Sequence, residues 1–307
     1  MLEGQVLKST GSFYEVATRA GGQYRCRTRG KMRLLEQSFT NPVAVGDWVR
    51  IQPGAYEDDH RIIEVLPREN VLVRKANKST SRGQILAANV DLAVVVVSMV
   101  APETSQGFID RFLVASEAYN VTAYIVFNKV DLYKEVQWKR YQALKDLYEE
   151  LGYVCFATVA TANSGVDSLL HALQGCTSLF CGHSGVGKST VLNAMNPHLA
   201  IRTAQVSESH QKGRHTTTHA QMHVLDPNTQ IIDTPGIREY GLLDYEAAEM
   251  GHYLPEIRRY LGQCRFNNCT HVHEPGCSVR EALEEGAIHP WRYESYLSML
   301  DNQDQYH

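Results

Sequence analysis

Short runs in which apolar and polar residues alternate fill the first quarter of the chain, and such alternation predicts half-buried β-strands. Five runs show it: residues 4–7, 13–16, 23–29, 45–51 and 61–66. A turn-forming Ser-Thr-Gly-Ser segment separates the first two. Short strands in such close succession fit a small closed barrel. We predict this barrel over residues 1–75.

From about residue 82 onward, apolar runs alternate with segments of helical periodicity. The run at 90–98 is apolar almost throughout, as in a parallel strand buried on both faces. Further strands are predicted at residues 121–127, 153–160, 177–181, 219–225 and 230–233. Helices are predicted at residues 108–120, 138–152, 166–173 and 188–195. This alternation indicates an α/β domain with a mainly parallel sheet, which we assign to residues 76–241.

The last part of the chain, residues 242–307, combines helical periodicity with a cysteine-rich loop. Its predicted helices are residues 246–250, 256–261, 279–285 and 290–300. Four potential metal ligands lie between the second and third helices: Cys264, Cys269, His271 and Cys277. Three thiolates and an imidazole are typical of a closed, tetrahedral, structural zinc site. His273 is an alternative to His271, and the whole segment is predicted to be a small helical zinc-binding domain.

Charge is distributed unevenly along the chain, although the net charge is only −4. Residues 1–82 contain 14 Lys and Arg against 9 Asp and Glu, a net charge of +5, and the remainder carries −9. Five cations spaced two residues apart would share one face of a strand: Arg25, Arg27, Arg29, Lys31 and Arg33. Such a row suits the phosphates of a nucleic acid, and it favours a barrel of the oligonucleotide-binding kind. The alternative is a solvated edge strand whose charges discourage aggregation.

The sequence predicts neither a membrane-spanning helix nor a secretory signal. The longest apolar stretch, residues 92–101, is interrupted and too short to cross a bilayer. The first twenty residues lack the apolar centre of a signal peptide. The cysteines outside the cluster are scattered and expected to be reduced: Cys26, Cys155, Cys176 and Cys181. We therefore expect a cytoplasmic protein.

A glycine-rich segment between the strand at 177–181 and the helix at 188–195 matches the phosphate-loop pattern G-x-x-x-x-G-K-[ST]. The residues that we expect to contact the nucleotide here are Gly182, His183, Ser184, Gly185, Val186, Gly187, Lys188, Ser189 and Thr190. Glycines let backbone N–H groups approach phosphate oxygens, and the start of the helix adds partial positive charge. Lys188 is predicted to reach the β- and γ-phosphates, and the Ser189 hydroxyl to bind Mg²⁺.

A second loop predicts which nucleotide binds. Asn128-Lys129-Val130-Asp131 follows a predicted strand and matches the N-K-x-D base-recognition loop of GTP-binding proteins. The Asp131 carboxylate can accept hydrogen bonds from two N–H donors of guanine, whereas adenine would leave it unpaired. Asn128 can bond the other edge of the base, and the Lys129 stem can cover the ring. Together with the phosphate loop, these residues predict GTP as the ligand.

Two further segments fit the γ-phosphate and its magnesium ion. Segment 233–236, Asp-Thr-Pro-Gly, ends a predicted strand. Asp233 can hold Mg²⁺ through water there, and the Gly236 N–H can contact the γ-phosphate. Segment 213–218, Gly-Arg-His-Thr-Thr-Thr, can supply a threonine to Mg²⁺. We assign Thr217 to this role, although the triplet does not single out one threonine.

The order of these motifs is unusual. Ordinary GTPases begin with the phosphate loop and carry the N-K-x-D loop near the end. Here the base loop at 128–131 precedes the phosphate loop at 182–189, and Asp-Thr-Pro-Gly comes last. This order predicts a circular permutation, in which the same sheet forms although the chain ends lie elsewhere. The chain then runs from Asp233 directly into the C-terminal domain, so a change in this switch is expected to pull on that domain.

The basic barrel, the permuted motif order, Gly-Arg-His-Thr-Thr-Thr and the Cys-x₄-Cys-x-His-x₅-Cys cluster together resemble the small ribosomal subunit biogenesis GTPase family, RsgA. The resemblance covers nearly the whole chain. It implies a multidomain fold: an oligonucleotide-binding β-barrel, a circularly permuted α/β P-loop GTPase domain and a small helical zinc-binding domain. Residues 158–162, Thr-Val-Ala-Thr-Ala, depart from the serine-containing loop that the family usually places beside the base. Their main chain can still contact guanine O6.

The resemblance also implies a function. The protein would bind the small ribosomal subunit and its rRNA, assist its late maturation, and hydrolyse GTP to GDP and phosphate with subunit-stimulated activity. Its cofactors would be structural Zn²⁺, and Mg²⁺ bound with GTP, and we expect a monomer. One alternative is an RNA-binding assembly factor that holds GTP only as a structural ligand. Another is an ATP-driven P-loop enzyme, which Asn128 and Asp131 disfavour.

Ras-like GTPases position the attacking water with a glutamine after the Asp-x-x-Gly turn, but this chain has Ile237 there. We predict that His215 takes this catalytic role. A neutral imidazole can accept a hydrogen bond from the water while its other nitrogen donates elsewhere. Arg214 is the alternative, although a cation suits the developing phosphate charge better than the water.

Asp131→Asn is expected to weaken GTP binding by several kcal/mol, because a charge-assisted pair of hydrogen bonds is lost. Xanthosine triphosphate should regain affinity, since its 2-oxo group can accept from the new amide. Titration of GTP and of xanthosine triphosphate into the wild type and the variant measures this change in nucleotide specificity. Unchanged GTP affinity in the variant would contradict the assignment of the base loop.

Overall fold

The computed structural model describes residues 1–28, 39, 41–56, 60–75, 83–201, 220–234 and 249–304. Within these ranges, thirteen β-strands and seven α-helices follow one another along the chain. The strands are concentrated at the N-terminal end and the helices at the C-terminal end, with an alternating region between them.

Five strands close a barrel at the N-terminal end. They are β1 (Leu2–Ser9), β2 (Tyr14–Thr18), β3 (Gln23–Thr28), β4 (Trp48–Gln52) and β5 (His60–Val65). The pairings run β1–β2–β3–β5–β4 and return from β4 to β1, with β3 and β5 parallel. Alternate side chains point inward, so Val6, Val16, Cys26 and Ile62 form an apolar core. The predicted five-stranded barrel is confirmed.

A mainly parallel sheet occupies the middle of the chain. Its strands are β8 (Leu92–Val97), β9 (Thr122–Asn128), β10 (Val154–Thr158), β11 (Thr177–Cys181), β12 (Gln221–Asp226) and β13 (Thr229–Asp233). They lie in the order β10-β9-β8-β11-β13-β12, and β12 is antiparallel to β13. Every residue of β8 is buried, as its continuous apolar run predicts.

Helices cover both faces of this sheet. They are α1 (Gln106–Ala118), α2 (Glu135–Glu150), α3 (Val166–Ala172) and α4 (Lys188–Met195). Val95 and Val97 of β8 point toward the core that contains α1 and α2. Val94 and Val96 point toward the core that contains α3 and α4. The result is the three-layer α/β architecture expected from the sequence.

The structure adds a hairpin that the sequence analysis did not predict. Strand β6 (Val71–Lys75) pairs antiparallel with β7 (Gly83–Ala88), so the two strands lie on opposite sides of the predicted domain boundary at residue 75. The Asn70 side chain donates to the Val90 carbonyl at 2.8 Å and accepts from the Val90 N–H at 2.9 Å. The hairpin is therefore fastened to the beginning of the central sheet.

Backbone hydrogen bonds join the barrel to the central sheet. Strand β1 pairs antiparallel with β12, with Lys8 opposite Gln221. Arg68 donates to both oxygens of the buried Asp47 carboxylate, at 2.7 and 2.9 Å, which fixes the loop before β4. The strands of the barrel and of the α/β domain thus belong to one continuous sheet.

The C-terminal part contains α5 (Pro255–Arg258), α6 (Ser278–Glu284) and α7 (Pro290–Asp304). Two predicted helices differ from the structure. Met250–Tyr253 form a 3₁₀ turn where an α-helix over 246–250 was expected, and residues 246–248 lie outside the described ranges. The helix expected at 256–261 ends at Arg258. None of the helices in the described ranges combines the length and apolarity that a membrane crossing requires.

Gly46 is expected to be indispensable where the barrel meets the β6–β7 hairpin. Its φ angle is +92°, and a Cβ there would lie 2.1 Å from the carbonyl oxygen of Ala88. Gly46→Ala therefore combines left-handed strain with a clash against backbone. The free energy of unfolding should fall by about 2–4 kcal/mol in urea titrations.

Gly21→Ala is the matched control. Its φ angle is +86°, but nothing lies within 4 Å of the added Cβ. Only the backbone strain applies there, and the expected loss is about 1 kcal/mol. Equal losses in the two variants would contradict a steric requirement at Gly46.

Candidate functional site

The glycine-rich loop at 182–187 lies between the carboxyl end of β11 and the beginning of α4, at the centre of the sheet. Gly187 has a φ angle of +95°, and a Cβ there would lie 2.3 Å from Nδ2 of Asn128. A Cβ at Gly182 would lie 2.6 Å from the carbonyl oxygen of Val96. Side chains at these two positions would push the loop away from its neighbours, so the conformation of the loop requires glycine at both.

Asn128 and Lys129 hold the predicted base loop against the phosphate loop. The Asn128 amide donates to the Val186 carbonyl at 3.0 Å. The Lys129 ammonium donates to the carbonyls of Gly185 at 2.7 Å and Ala101 at 2.6 Å. Burial lowers the pKa of Lys129 from its ordinary value. Two motifs that lie far apart in the sequence therefore form one site.

A third loop, residues 158–160, joins this site through the same amide. The Oδ1 atom of Asn128 accepts from the Thr158 hydroxyl at 3.0 Å and from the Ala160 N–H at 3.3 Å. The sequence analysis placed residues 158–162 beside the base but missed the contact that Thr158 makes. The available signal was a threonine at the end of β10, the strand that pairs with β9.

Lys188 and Asp233 form a buried ion pair. The ammonium also donates to the Thr234 carbonyl. Burial lowers the pKa of Lys188 from 10.5 to about 8, while the adjacent carboxylate favours the charged form of the lysine. The phosphate-loop lysine and the end of β13 are thus in direct contact, as expected for groups that share one phosphate site.

The other predicted nucleotide contacts lie in the base loop, in the phosphate loop or at the beginning of α4. Asp131, the last residue of the base loop, is exposed in a 3₁₀ turn, Val130–Leu132. The His183 ring packs on Phe108 with their centroids 3.9 Å apart. Ser184 is half-buried in the loop, and Ser189 and Thr190 are half-buried in the first turn of α4. The predicted Thr217, Gly236, His215 and Arg214 lie outside the described residues.

A second cluster lies in the C-terminal part. The ligand atoms of Cys264, Cys269, His271 and Cys277 all lie within 4.8 Å of one another. Nδ1 of His271 is 3.5 Å from the sulfur atoms of Cys264 and Cys277. Burial lowers the pKa of His271, which favours the neutral, ligating imidazole. The donor set and its compactness fit a tetrahedral Zn²⁺ site that uses His271, whereas His273 is exposed.

Glu274 braces the loop that carries His271. Its carboxylate accepts from the Thr270 N–H at 2.8 Å and the Thr270 hydroxyl at 2.6 Å. It also accepts from the N–H groups of Val272 and His273, both at 3.1 Å. Burial would raise the pKa of Glu274, but these hydrogen bonds lower it well below its usual range. The carboxylate is therefore ionised at neutral pH and fixes the loop conformation.

The barrel carries part of the predicted row of cations. Arg25 and Arg27 are exposed on β3, while Cys26 between them points into the core. Their guanidinium groups lie over the Phe13 ring, at 4.0 and 4.3 Å from its centroid. Arg29, Lys31 and Arg33 lie outside the described residues. Cations on an aromatic ring form a surface suited to phosphates and stacked bases.

Two family profiles match the chain. One, described as the RsgA N-terminal domain, matches residues 3–60. The other, described as RsgA GTPase, matches residues 65–243, which is more than half of the chain. The chain belongs to the RsgA GTPase family. It is therefore a GTP-hydrolysing enzyme, and the family resemblance drawn from the motif order is confirmed.

Individual relatives of the RsgA family extend the match to the whole chain. Small ribosomal subunit biogenesis GTPase RsgA 2 of Bacteroides thetaiotaomicron is 46% identical over 304 residues, covering 99% of this chain and 98% of that relative. The crystal structure of YjeQ from Thermotoga maritima is similar at 34% identity, with a TM-score of 0.76 and 98% of both chains covered. YloQ, described as a circularly permuted GTPase, is 29% identical with a TM-score of 0.72, covering 99% of this chain and 96% of YloQ. The predicted circular permutation is confirmed.

We expect the purified RsgA-family protein to carry close to one zinc ion per chain. Cys269→Ser should lose the metal and unfold mainly residues 249–304, because short helices depend on the bound ion for folding free energy. Elemental analysis gives the metal content, and hydrogen exchange shows which segments unfold. Cys176→Ser, outside the cluster, should keep its zinc. Metal-free wild-type protein, purified without chelators, would refute the zinc assignment.

Proposed function

We propose that the protein binds the small ribosomal subunit, assists its late maturation and hydrolyses GTP with subunit-stimulated activity. The observation that carries the proposal is the single site formed by the base loop and the phosphate loop through Asn128 and Lys129. Whole-chain similarity to a relative named small ribosomal subunit biogenesis GTPase supports the choice of partner. We propose that the protein works in the cytoplasm and as a monomer.

Guanine selection is assigned to the base loop. Asp131 would accept from the two N–H donors of guanine, and adenine would leave the carboxylate without a partner. Asn128 is already committed to three protein groups, so its part includes holding the loops together around the base. The Ala160 N–H, in the loop at 158–160, donates to Asn128 Oδ1 at 3.3 Å and would share or exchange that bond to contact guanine O6. An ATP-driven enzyme is disfavoured for these reasons, and competition between GTP and ATP tests the choice.

Phosphate binding is assigned to residues 182–190. We propose that Lys188 exchanges its contact with Asp233 for one with the β- and γ-phosphates. Ser189, Thr217 and Asp233 would hold Mg²⁺, which when bound neutralises charge on the phosphate oxygens. Gly236 would contact the γ-phosphate through its N–H. The buried Lys188–Asp233 pair supports this assignment, because it keeps two opposite charges together until a phosphate and a cation provide new partners.

The parts of the chain take different tasks in this proposal. We assign residues 1–75 to the barrel domain, whose exposed Arg25 and Arg27 suit rRNA. We assign residues 76–241 to the GTPase domain and residues 242–307 to the helical domain, in which Zn²⁺ would have a structural role. The hairpin β6–β7 crosses the first boundary, so the barrel and the GTPase domain are expected to unfold together.

The membership in a GTPase family argues against the alternative of an RNA-binding assembly factor that holds GTP only as a structural ligand. GTP turnover measured with and without purified small subunits tests the proposed stimulation. Stimulated turnover supports the GTPase switch, whereas tight subunit binding without stimulation would contradict it.

His215→Ala tests the proposed water-positioning residue. The variant should keep GTP binding and subunit binding but lose most of the stimulated turnover, because His215 is the one side chain of its motif that can both accept a hydrogen bond from the water and take up a proton near neutral pH. His219→Ala, another histidine of the same segment, is the control and should retain stimulated turnover. Wild-type turnover in the His215 variant would transfer the role to Arg214, to a water network or to the rRNA.

A further inference from the structure

Helix α1 has two buried faces that belong to different parts of the protein. Phe108 and Phe112 pack into the core of the GTPase domain. Asp110, Val114 and Glu117 follow at helical spacing on another face. Val114 packs into the core of the C-terminal helices, and Glu117 pairs with Arg258 at 3.0 Å. The helix is therefore the surface on which the zinc-bearing domain is seated.

A buried network of charges lies at the centre of this contact. Arg292 of α7 is fully buried, and its Nη1 donates to Oδ1 of Asp110 at 2.5 Å. Its Nε donates to Oε1 of Glu256 at 2.6 Å. The Tyr148 hydroxyl donates to Asp110 at 2.8 Å, and the Ser295 hydroxyl donates to the other oxygen of that carboxylate. One guanidinium thus joins α1 of the GTPase domain to α5 and α7.

This network is expected to add little net stability to the fold for the number of charges that it buries. Desolvation of buried charges offsets most of their attraction, and well-packed apolar side chains of similar volume are often as stabilising. A guanidinium group, in contrast, donates to its carboxylates only in a narrow range of orientations. The distinctive contribution of Arg292 is therefore orientation: while the guanidinium engages both carboxylates, the C-terminal domain has one defined position on α1.

The same helix also touches the nucleotide site. Phe108 is two residues from Asp110, within one helical turn, and its ring packs on His183 of the phosphate loop at 3.9 Å between centroids. Because interiors are close-packed, a displacement of the phosphate loop at this contact must move the first turn of α1 or break the contact. The ion network holds that same turn.

We propose that Arg292 is a positioning residue of this GTPase, which through Asp110 and helix α1 couples the state of the phosphate loop to the orientation of the zinc-bearing domain. The coupling rests on the proposed function in one respect, since it needs guanine nucleotide bound at residues 182–190. It adds a second connection between the two domains, besides the chain that runs from Asp233 to residue 249.

Hydrogen exchange of the full-length, zinc-loaded protein tests the coupling. Exchange is compared without nucleotide, with GDP and with a non-hydrolysable GTP analogue. In wild type, amides of α7 at residues 290–300 should change their exchange rates by at least about threefold between the GDP and GTP-analogue forms. Phe108→Leu, which removes the ring on His183 and leaves the ion network, should reduce this response.

Two variants separate orientation from folding. Arg292→Lys keeps the charge, but a single ammonium cannot bridge Asp110 and Glu256 as the guanidinium does. Asp110→Asn/Glu256→Gln/Arg292→Met removes all three charges together and leaves none unpaired. Both should keep zinc content and GTP affinity, lose the α7 response, and lower subunit-stimulated kcat about tenfold with little change in the KM for subunits. Arg258→Gln, which breaks the exposed pair with Glu117, is the matched control and should behave as wild type.

The outcomes distinguish this inference from the proposed function. A wild-type protein that binds GTP but shows no nucleotide response in α7 would overturn the coupling and leave the proposed function intact. A folded, zinc-loaded triple variant with the full α7 response would also overturn it. A wild type that shows the response but no stimulation by small subunits would support the coupling and contradict the proposed function.

Discussion

The nucleotide site depends on one buried amide. Asn128 is almost fully buried, and its side chain satisfies the Val186 carbonyl, the Thr158 hydroxyl and the Ala160 N–H. Leaving such a group unpaired would cost about 1–3 kcal/mol for each buried partner. The glycine at 187 makes room for this amide, since a Cβ there would lie 2.3 Å from Nδ2. The base loop and the phosphate loop therefore require each other.

The circular permutation leaves this constraint unchanged because the constraint is spatial. Parallel strands β9, β8 and β11 place their carboxyl ends at one edge of the sheet, whichever strand comes first in the chain. The permutation instead changes which parts of the chain lie next to segments 213–218 and 233–236. Strand β12 follows the segment that contains His215 and Thr217, and β13 ends at Asp233. The barrel strand β1 pairs with β12, so it covers what would otherwise be an exposed edge.

Much of this arrangement could be predicted from sequence because its signals are local. The apolar run of β8, the phosphate-loop glycines and the ligand spacing of Cys264, Cys269, His271 and Cys277 each lie within a few consecutive residues. The hairpin β6–β7 was missed because its two strands are short and the polar residues 76–82 between them leave no long periodic run that a sequence pattern could detect. Arg292 was missed for a different reason. A charged residue on a helix is typical of a solvated face, and its partner Asp110 lies on a helix far away in the chain.

The two flanking domains are attached to the GTPase domain by different physical means, and this difference has consequences for switching. The barrel is attached by the backbone pairing of β1 with β12 and by the bond from the Ala88 N–H to the Val45 carbonyl, and it can move little without breaking these hydrogen bonds. The C-terminal domain is attached by helix packing around one guanidinium, whose two carboxylates come from opposite sides of the interface. A nucleotide can shift an orientation only by its difference in affinity for two arrangements. The interface at Arg292 has two discrete arrangements. The guanidinium group either donates to both carboxylates or releases one of them at a large electrostatic cost. Nucleotide-dependent movement should therefore be concentrated between the GTPase domain and the C-terminal domain, while the barrel moves with the central sheet as one unit.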